Sequence, residues 1–294
     1  MKRHLWLLLA VALPGPAFAS GTPVQESMVV TGSITVNPQG GVAGYTVRDL
    51  DKLPPAARQI IQTTVPRWQF VPIMKNGKAV AAEAGMSLRI VADMVDQDHA
   101  TIQVAGAAFG CDARPKSNLP GECPAGTAIR YAHRDPPRYP IDAVRARVGG
   151  EVFLVLQIDR DGRVSQTAVR QVNLYTVTDQ PAYYRKTLAD ASLRAASKWQ
   201  FRIPTRSPNG GKAHWIVEVP IDFSLDWVPN RFATYRRSSS TYGQWNAYIP
   251  GPVQDIPWAH NKTNGGSDAV ADNGQPFTPD PRFVLETPLG GGTS

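Results

Sequence analysis

Two stretches of this chain follow one pattern, and any fold must accommodate both. Ile34-Thr35-Val36-Asn37-Pro38-Gln39-Gly40-Gly41-Val42 and Leu156-Gln157-Ile158-Asp159-Arg160-Asp161-Gly162-Arg163-Val164 share the same plan. Each reads as an alternating strand, a short turn bearing Asn or Asp and Gly, and a second strand opening at Val. Alternation broken by a Gly-bearing turn signals a β-hairpin. Farther on, Arg67-Trp68-Gln69-Phe70 and Lys198-Trp199-Gln200-Phe201 each close a helical stretch. Ala57, Ile60, Ile61, Val65 and Trp68 fall on one helix face in the first copy, and Leu188, Ala191, Ala195 and Trp199 in the second. Pro54-Pro55 suits the opening of the first helix.

A polar Asn-Gly loop follows each Trp-Gln-Phe, at Asn76-Gly77 and at Asn209-Gly210. Then comes a strand, near Met86 to Val91 in the first copy and from His214 to Leu225 in the second. Val217, Val219, Ile221 and Phe223 alternate there, so one face is expected to be buried. The unit is hairpin, helix, strand, occurring twice. The second copy is longer by a polar loop around Tyr175 to Tyr184. The offset between the copies predicts two sheets, side by side.

The chain has 294 residues, with 42% apolar and 19% charged side chains, ordinary values for a globular protein. Its 25 Gly and 26 Pro disfavour long helical bundles. No apolar run approaches the ~20 residues of a spanning helix. Lys2, Arg3 and His4 precede the apolar stretch Leu5 to Leu13, and Ala17-Phe18-Ala19 fits a small-x-small cleavage site. Residues 1–19 therefore read as a cleaved signal peptide. The expected location is the periplasm, and the processed chain is not expected to span a membrane. A net charge of +7 raises nucleic acid as a partner, but export argues against it. Export also favours a disulfide between Cys111 and Cys123.

The second copy is preceded by Pro137-Arg138-Tyr139-Pro140-Ile141-Asp142-Ala143 and then Gly150-Glu151-Val152. With the turn Asp159 to Val164, the helix end Ala195 to Phe201 and the strand Val219-Pro220-Ile221-Asp222-Phe223, residues 136–226 resemble the C-terminal domain of TonB-type energy transducers. Residues 20–96 resemble it less closely, as a truncated repeat. The resemblance implies an α+β fold, with helices on one face of a small antiparallel sheet, and a binding role in outer-membrane transport; no cofactor is expected, and with two Cys too few for a Cys-rich zinc module no metal is expected either. It also implies a protein partner, an outer-membrane receptor or transport component, whose extended segment pairs with the last strand. The matching residues are His214, Trp215, Ile216, Val217, Glu218, Val219, Ile221 and Phe223. Glu26 to Gly32 is similar to the motif that such receptors offer, but the repeat aligns it with a plain first strand.

Residues 97–135 read as a linker with one strand, Ala100 to Val104, and a disulfide-tied loop. Arg130, Arg134, Arg138, Arg145 and Arg147 are a weaker candidate, a basic patch for anionic glycan. The alternative function is thus an envelope structural or peptidoglycan-associated protein without a transport role. No His-Glu-x-x-His, Gly-x-Ser-x-Gly or phosphate-cradling loop is present, so catalysis is not expected. Residues 227–294 form a Gly/Pro-rich tail, expected to be partly disordered, with some of its aromatic residues docked on the second repeat.

Overall fold

Turn chemistry builds the two hairpins in the same way. In the computed structural model, Asn37 Oδ1 accepts the backbone N–H groups of Gln39 and Gly41 at 2.9 and 3.0 Å. Asp159 Oδ1 accepts those of Asp161 and Arg163 at 2.9 and 2.8 Å. Such side-chain bonds two and four residues on are why Asn and Asp open turns. Gly40 and Gly162 follow at φ 88° and 77°. At each, the Phe of the Trp-Gln-Phe segment bonds back to the turn, Phe70 N–H to Gly40 and Phe201 N–H to Gly162, at 2.8 and 2.7 Å. A side chain at either glycine would strike the Phe carbonyl at 2.0 Å.

The structure describes residues 25–94, 99–112, 123, 126–204, 214–224, 242–259, 268–271 and 275–290. The leader, the Asn209-Gly210 loop, Phe232 and Tyr235 lie outside them. The first half holds β1 (Gln25–Val36), β2 (Val42–Val47), α1 (Pro55–Thr64), a short hairpin of β3 (Met74–Lys75) and β4 (Lys78–Ala79), β5 (Ala82–Met94) and β6 (Ala100–Asp112). The second half holds β7 (Arg130–His133), α2 (Ile141–Arg145), β8 (Gly150–Asp159), β9 (Val164–Leu174), α3 (Pro181–Ala196), β10 (Gln200–Arg202) and β11 (His214–Phe223). The tail adds β12 (Asn246–Tyr248) and β13 (Phe277–Pro279).

The expectation of two sheets is corrected. Among the described residues nine strands join in one antiparallel sheet, ordered β12-β1-β5-β6-β13-β11-β8-β9, with β2 also on β1. The sheet is strongly curled. Strands β5 and β8 are four neighbours apart, roughly 19 Å if the sheet were flat. Yet Arg89 of β5 meets Glu151 of β8 at 3.1 Å. The helix-free faces of the two halves therefore turn toward each other, with α1 and α3 outside. The ends of the sheet also meet, because Ile249, next after β12, exchanges both backbone hydrogen bonds with Leu174 of β9 at 2.9 and 3.0 Å.

This curl explains the composition of β8. Val152, Leu154, Leu156 and Ile158 face the α3 core, while Glu151 and Phe153 face Arg89 of the first half and Val155 packs against Ile256 and Ala259 of the tail, and all seven are buried. A strand covered on both faces needs apolar residues at nearly every position.

Each helix seals a core. Trp68, Phe70, Phe109 and Phe283 pack edge-on or stacked beneath α1. Trp199 and Phe201 pack with Tyr131 beneath α3. In α3 the buried stripe is Leu188, Ala191, Ser192 and Ala196; Ala195 is only half-buried, a small rotation from the expected face.

The tail docks on both halves. Tyr242, Trp245, Phe283 and Leu285 pack on the first core, whereas Trp258 packs beside Val155 of the second half. The strand expected at Ala100 to Val104 runs on to Asp112 and pairs with β5 along its length. Near its end Cys111 is bonded to Cys123.

Candidate functional site

The last strand of the second half is the candidate. Strand β11 pairs with β8 at every position from His214 to Phe223. Its other edge meets β13 at one position among the described residues, Glu218 opposite Phe277. Pro220 lies within this strand, and a proline is tolerated where its nitrogen faces an edge rather than a ladder.

The strand's side chains divide between two layers. Val217, Val219, Ile221 and Phe223 are buried in the α3 core. Trp215 and Ile216 are half-buried and His214 is exposed. The four core residues hold the strand in place, Trp215 packs on the same core and Ile216 packs against Ile256 and Ala259 of the tail, so the other edge offers chiefly backbone, with His214 the exposed side chain. Tyr139 fixes the end of the strand, its hydroxyl donating to the carbonyls of Val148 and Phe223 at 3.0 and 3.1 Å. Burial, with Asp222 nearby, raises that hydroxyl's pKa well above its ordinary value, so it stays a donor.

Glu218 is the chemically unusual member. It is 5% exposed and faces the inter-half layer, 3.8 Å from Arg170, itself 6% exposed. Glu218 Oε1 and Arg170 Nε and Nη2 have no hydrogen-bond partner among the described residues. Burial raises the Glu218 pKa from 4.5 to about 7, against the pull of Arg170. A carboxylate opposite a guanidinium ordinarily shifts the other way, so here burial outweighs an incompletely made pair.

A second polar cluster, missed in the sequence, joins the halves. Arg89 donates to Ser27 Oγ at 3.0 Å, to Glu151 at 3.1 Å, and to the Asp268 carbonyl at 3.1 and 2.6 Å. The Asp268 carboxylate accepts from Tyr248 at 2.6 Å and Asn173 at 2.7 Å. Burial alone would lower the Arg89 pKa, but Asp268 and Glu151 raise it above its ordinary value. The only hint in the sequence was Arg89 amid the apolar run Met86 to Val91.

The basic residues do not share one role. Arg134 lies over the rings of Tyr131 and Trp199 at 4.9 and 5.2 Å, a packing position. Arg130 lies in β7 opposite Arg202. Arg138, Arg145 and Arg147 are exposed on and around α2.

Residues 135–225, which span Tyr139, the β8–β9 hairpin, α3 and β11, match the family of the Gram-negative bacterial TonB protein C-terminal. They are a TonB C-terminal domain. Protein TonB of Xanthomonas campestris pv. campestris strain B100 is 34% identical over 102 residues, 35% of this chain and 40% of that protein. Protein TonB of strain ATCC 33913 is similar to the same extent. The chain thus spans about two fifths of the length of these curated relatives. No solved structure matches it. Among the described residues no helix is long and apolar enough to cross a membrane.

Proposed function

We propose that this protein is a periplasmic binding module of TonB-type outer-membrane transport, taking an extended segment of a partner onto the outer edge of β11. One observation carries the reading: β11 is fully paired with β8 on one side and, among the described residues, pairs with a neighbour at Glu218 alone on the other. Strand addition draws affinity from backbone hydrogen bonds and selectivity from alternate side chains. The likeness of residues 135–225 to the C-terminal region of TonB supports a role in the cell envelope.

The first half is a divergent copy of the same unit. Strand β1 lies between β2 and β5 as β8 lies between β9 and β11, and the two hairpin turns share one geometry. Its edge differs, because β6 covers β5 from Gly85 to Met94. The copy is therefore a closed support, and binding falls to the second half.

A photocrosslinker placed at His214 and at Ile216 in cells tests this. Capture of outer-membrane receptor segments is the expected result. Capture of nothing at either position, while a control site on α2 captures the same receptors, overturns the assignment to β11.

A further inference from the structure

The tail joins the two halves at both seams, and the two joints differ in strength. At one seam β12 pairs with β1 over three positions, and Ile249 then exchanges both backbone hydrogen bonds with Leu174. The chain beyond it continues along β9, Gln254 N–H donating to Arg170 O at 2.7 Å. Arg185 clamps it, donating to the carbonyls of Val172, Ile249 and Pro250. At the other seam β13 pairs with β6 over three positions but, among the described residues, pairs with β11 at Glu218 alone. That one bridge lies over the Glu218–Arg170 pair, whose buried atoms are left without hydrogen bonds.

Unmade hydrogen bonds at a buried pair leave its desolvation uncompensated, so the joint is held below its potential strength. The grip of β13 on β6 is close by contrast. Gly110 lets the tail in, since a Cβ there would lie 2.2 Å from the Thr278 carbonyl and 2.9 Å from Pro279 Cα.

We propose that β13 is an internal cover of the β11 edge, and that the β13–β11 joint parts, with β13 staying on β6, to admit a partner's extended peptide. This rests on the reading of β11 as the binding edge. Opening leaves the β12–β9 seam closed, so the first half moves about that seam as a hinge. The incoming strand gains the backbone groups of β11 and meets Glu218 Oε1 as a buried acceptor in need of a donor. A serine, threonine, asparagine or glutamine at the facing position fits that need.

Hydrogen exchange tests the joint without a partner. In the full chain, Gly110→Ala pushes β13 off its seat and leaves β11 untouched. Exchange of amides in the β11 peptide is expected to quicken by roughly tenfold or more, while β1 and β9 peptides hold their rates. If Gly110→Ala perturbs folding as a whole, a staple gives the second reading. Glu218→Cys with Phe277→Cys crosslinks opposed positions of an antiparallel pair, within reach of a disulfide. The staple is expected to slow exchange of the β11 peptide by a similar factor and, in cells, to abolish capture from Ile216. Equal exchange in the stapled and reduced forms overturns the cover. Capture from Ile216 that persists in the stapled form does the same while leaving β11 as the binding edge. Loss of capture in the unstapled protein too would instead remove the binding edge itself.

Discussion

Arg89 and Glu218 lie in the same inter-half layer with opposite degrees of satisfaction. Arg89 spends its donors on Ser27, Glu151 and Asp268. Replacing it with Met leaves two carboxylates in a buried layer without their cation, and a loss of about 3–5 kcal/mol is expected from urea unfolding. Glu218 has a folded pKa of about 7 against 4.5 in the unfolded chain. The folded state therefore holds this proton more tightly. The associated stability is complete below 4.5 and is lost as pH rises through 7. Between pH 5 and pH 8 the wild type should lose more stability than Glu218→Gln, as read by urea midpoints. Parallel pH profiles for the two proteins would disprove a buried Glu218. Neither burial was legible from sequence. A charged residue alternating with Val217 and Val219 reads as solvent-facing, and only the curl of the sheet covers that second face.

At the scale of elements, the hairpins were the most legible features, because Asn37, Asp159 and the two turn glycines act over four or five residues. Gly162 is held by both φ 77° and the Phe201 carbonyl, whereas Gly77, at φ 75°, has nothing within 4 Å of a Cβ. Gly77→Ala should cost about 1 kcal/mol, from the left-handed backbone alone. Gly162→Ala should cost clearly more in the same thermal melts, since the Phe201 strand must also shift. Trp199 is 1% exposed and its indole donates to the Asp135 carbonyl at 2.7 Å. Trp199→Ala should therefore lower stability by roughly 3–5 kcal/mol in urea. The length of β6 was not legible: Ala105 to Gly110 is rich in Ala and Gly, residues poor in strand preference, and pairing with β5 overrides that preference.

For the whole molecule, the tail decides the architecture. Residues 242–290 supply both seams, the Asp268 partner of Arg89, and the Phe283 and Leu285 side chains of the first core. Sequence pattern registers period within a segment, and the tail has little; its contacts reach back far along the chain, by up to 218 residues. Its aromatic residues were visible as a reason for it to dock, but not the site at which each docks. A chain ending at Thr241 should lose the cooperative melt of the full protein and elute as larger species in gel filtration, because four strand edges become free to pair between molecules. A monomer with an unchanged melt would show that the tail is dispensable.

The two seams also set a timetable for folding. A chain made from its N-terminus onward has both halves in hand before either closing segment exists, and the strand at Phe277–Pro279 follows them both. Until then each half carries open flanks, and the decisive pairings must span wide loops, which slows folding and lengthens exposure to aggregation. The arrival of these few residues after both halves makes their pairing the step at which the molecule either closes or is lost.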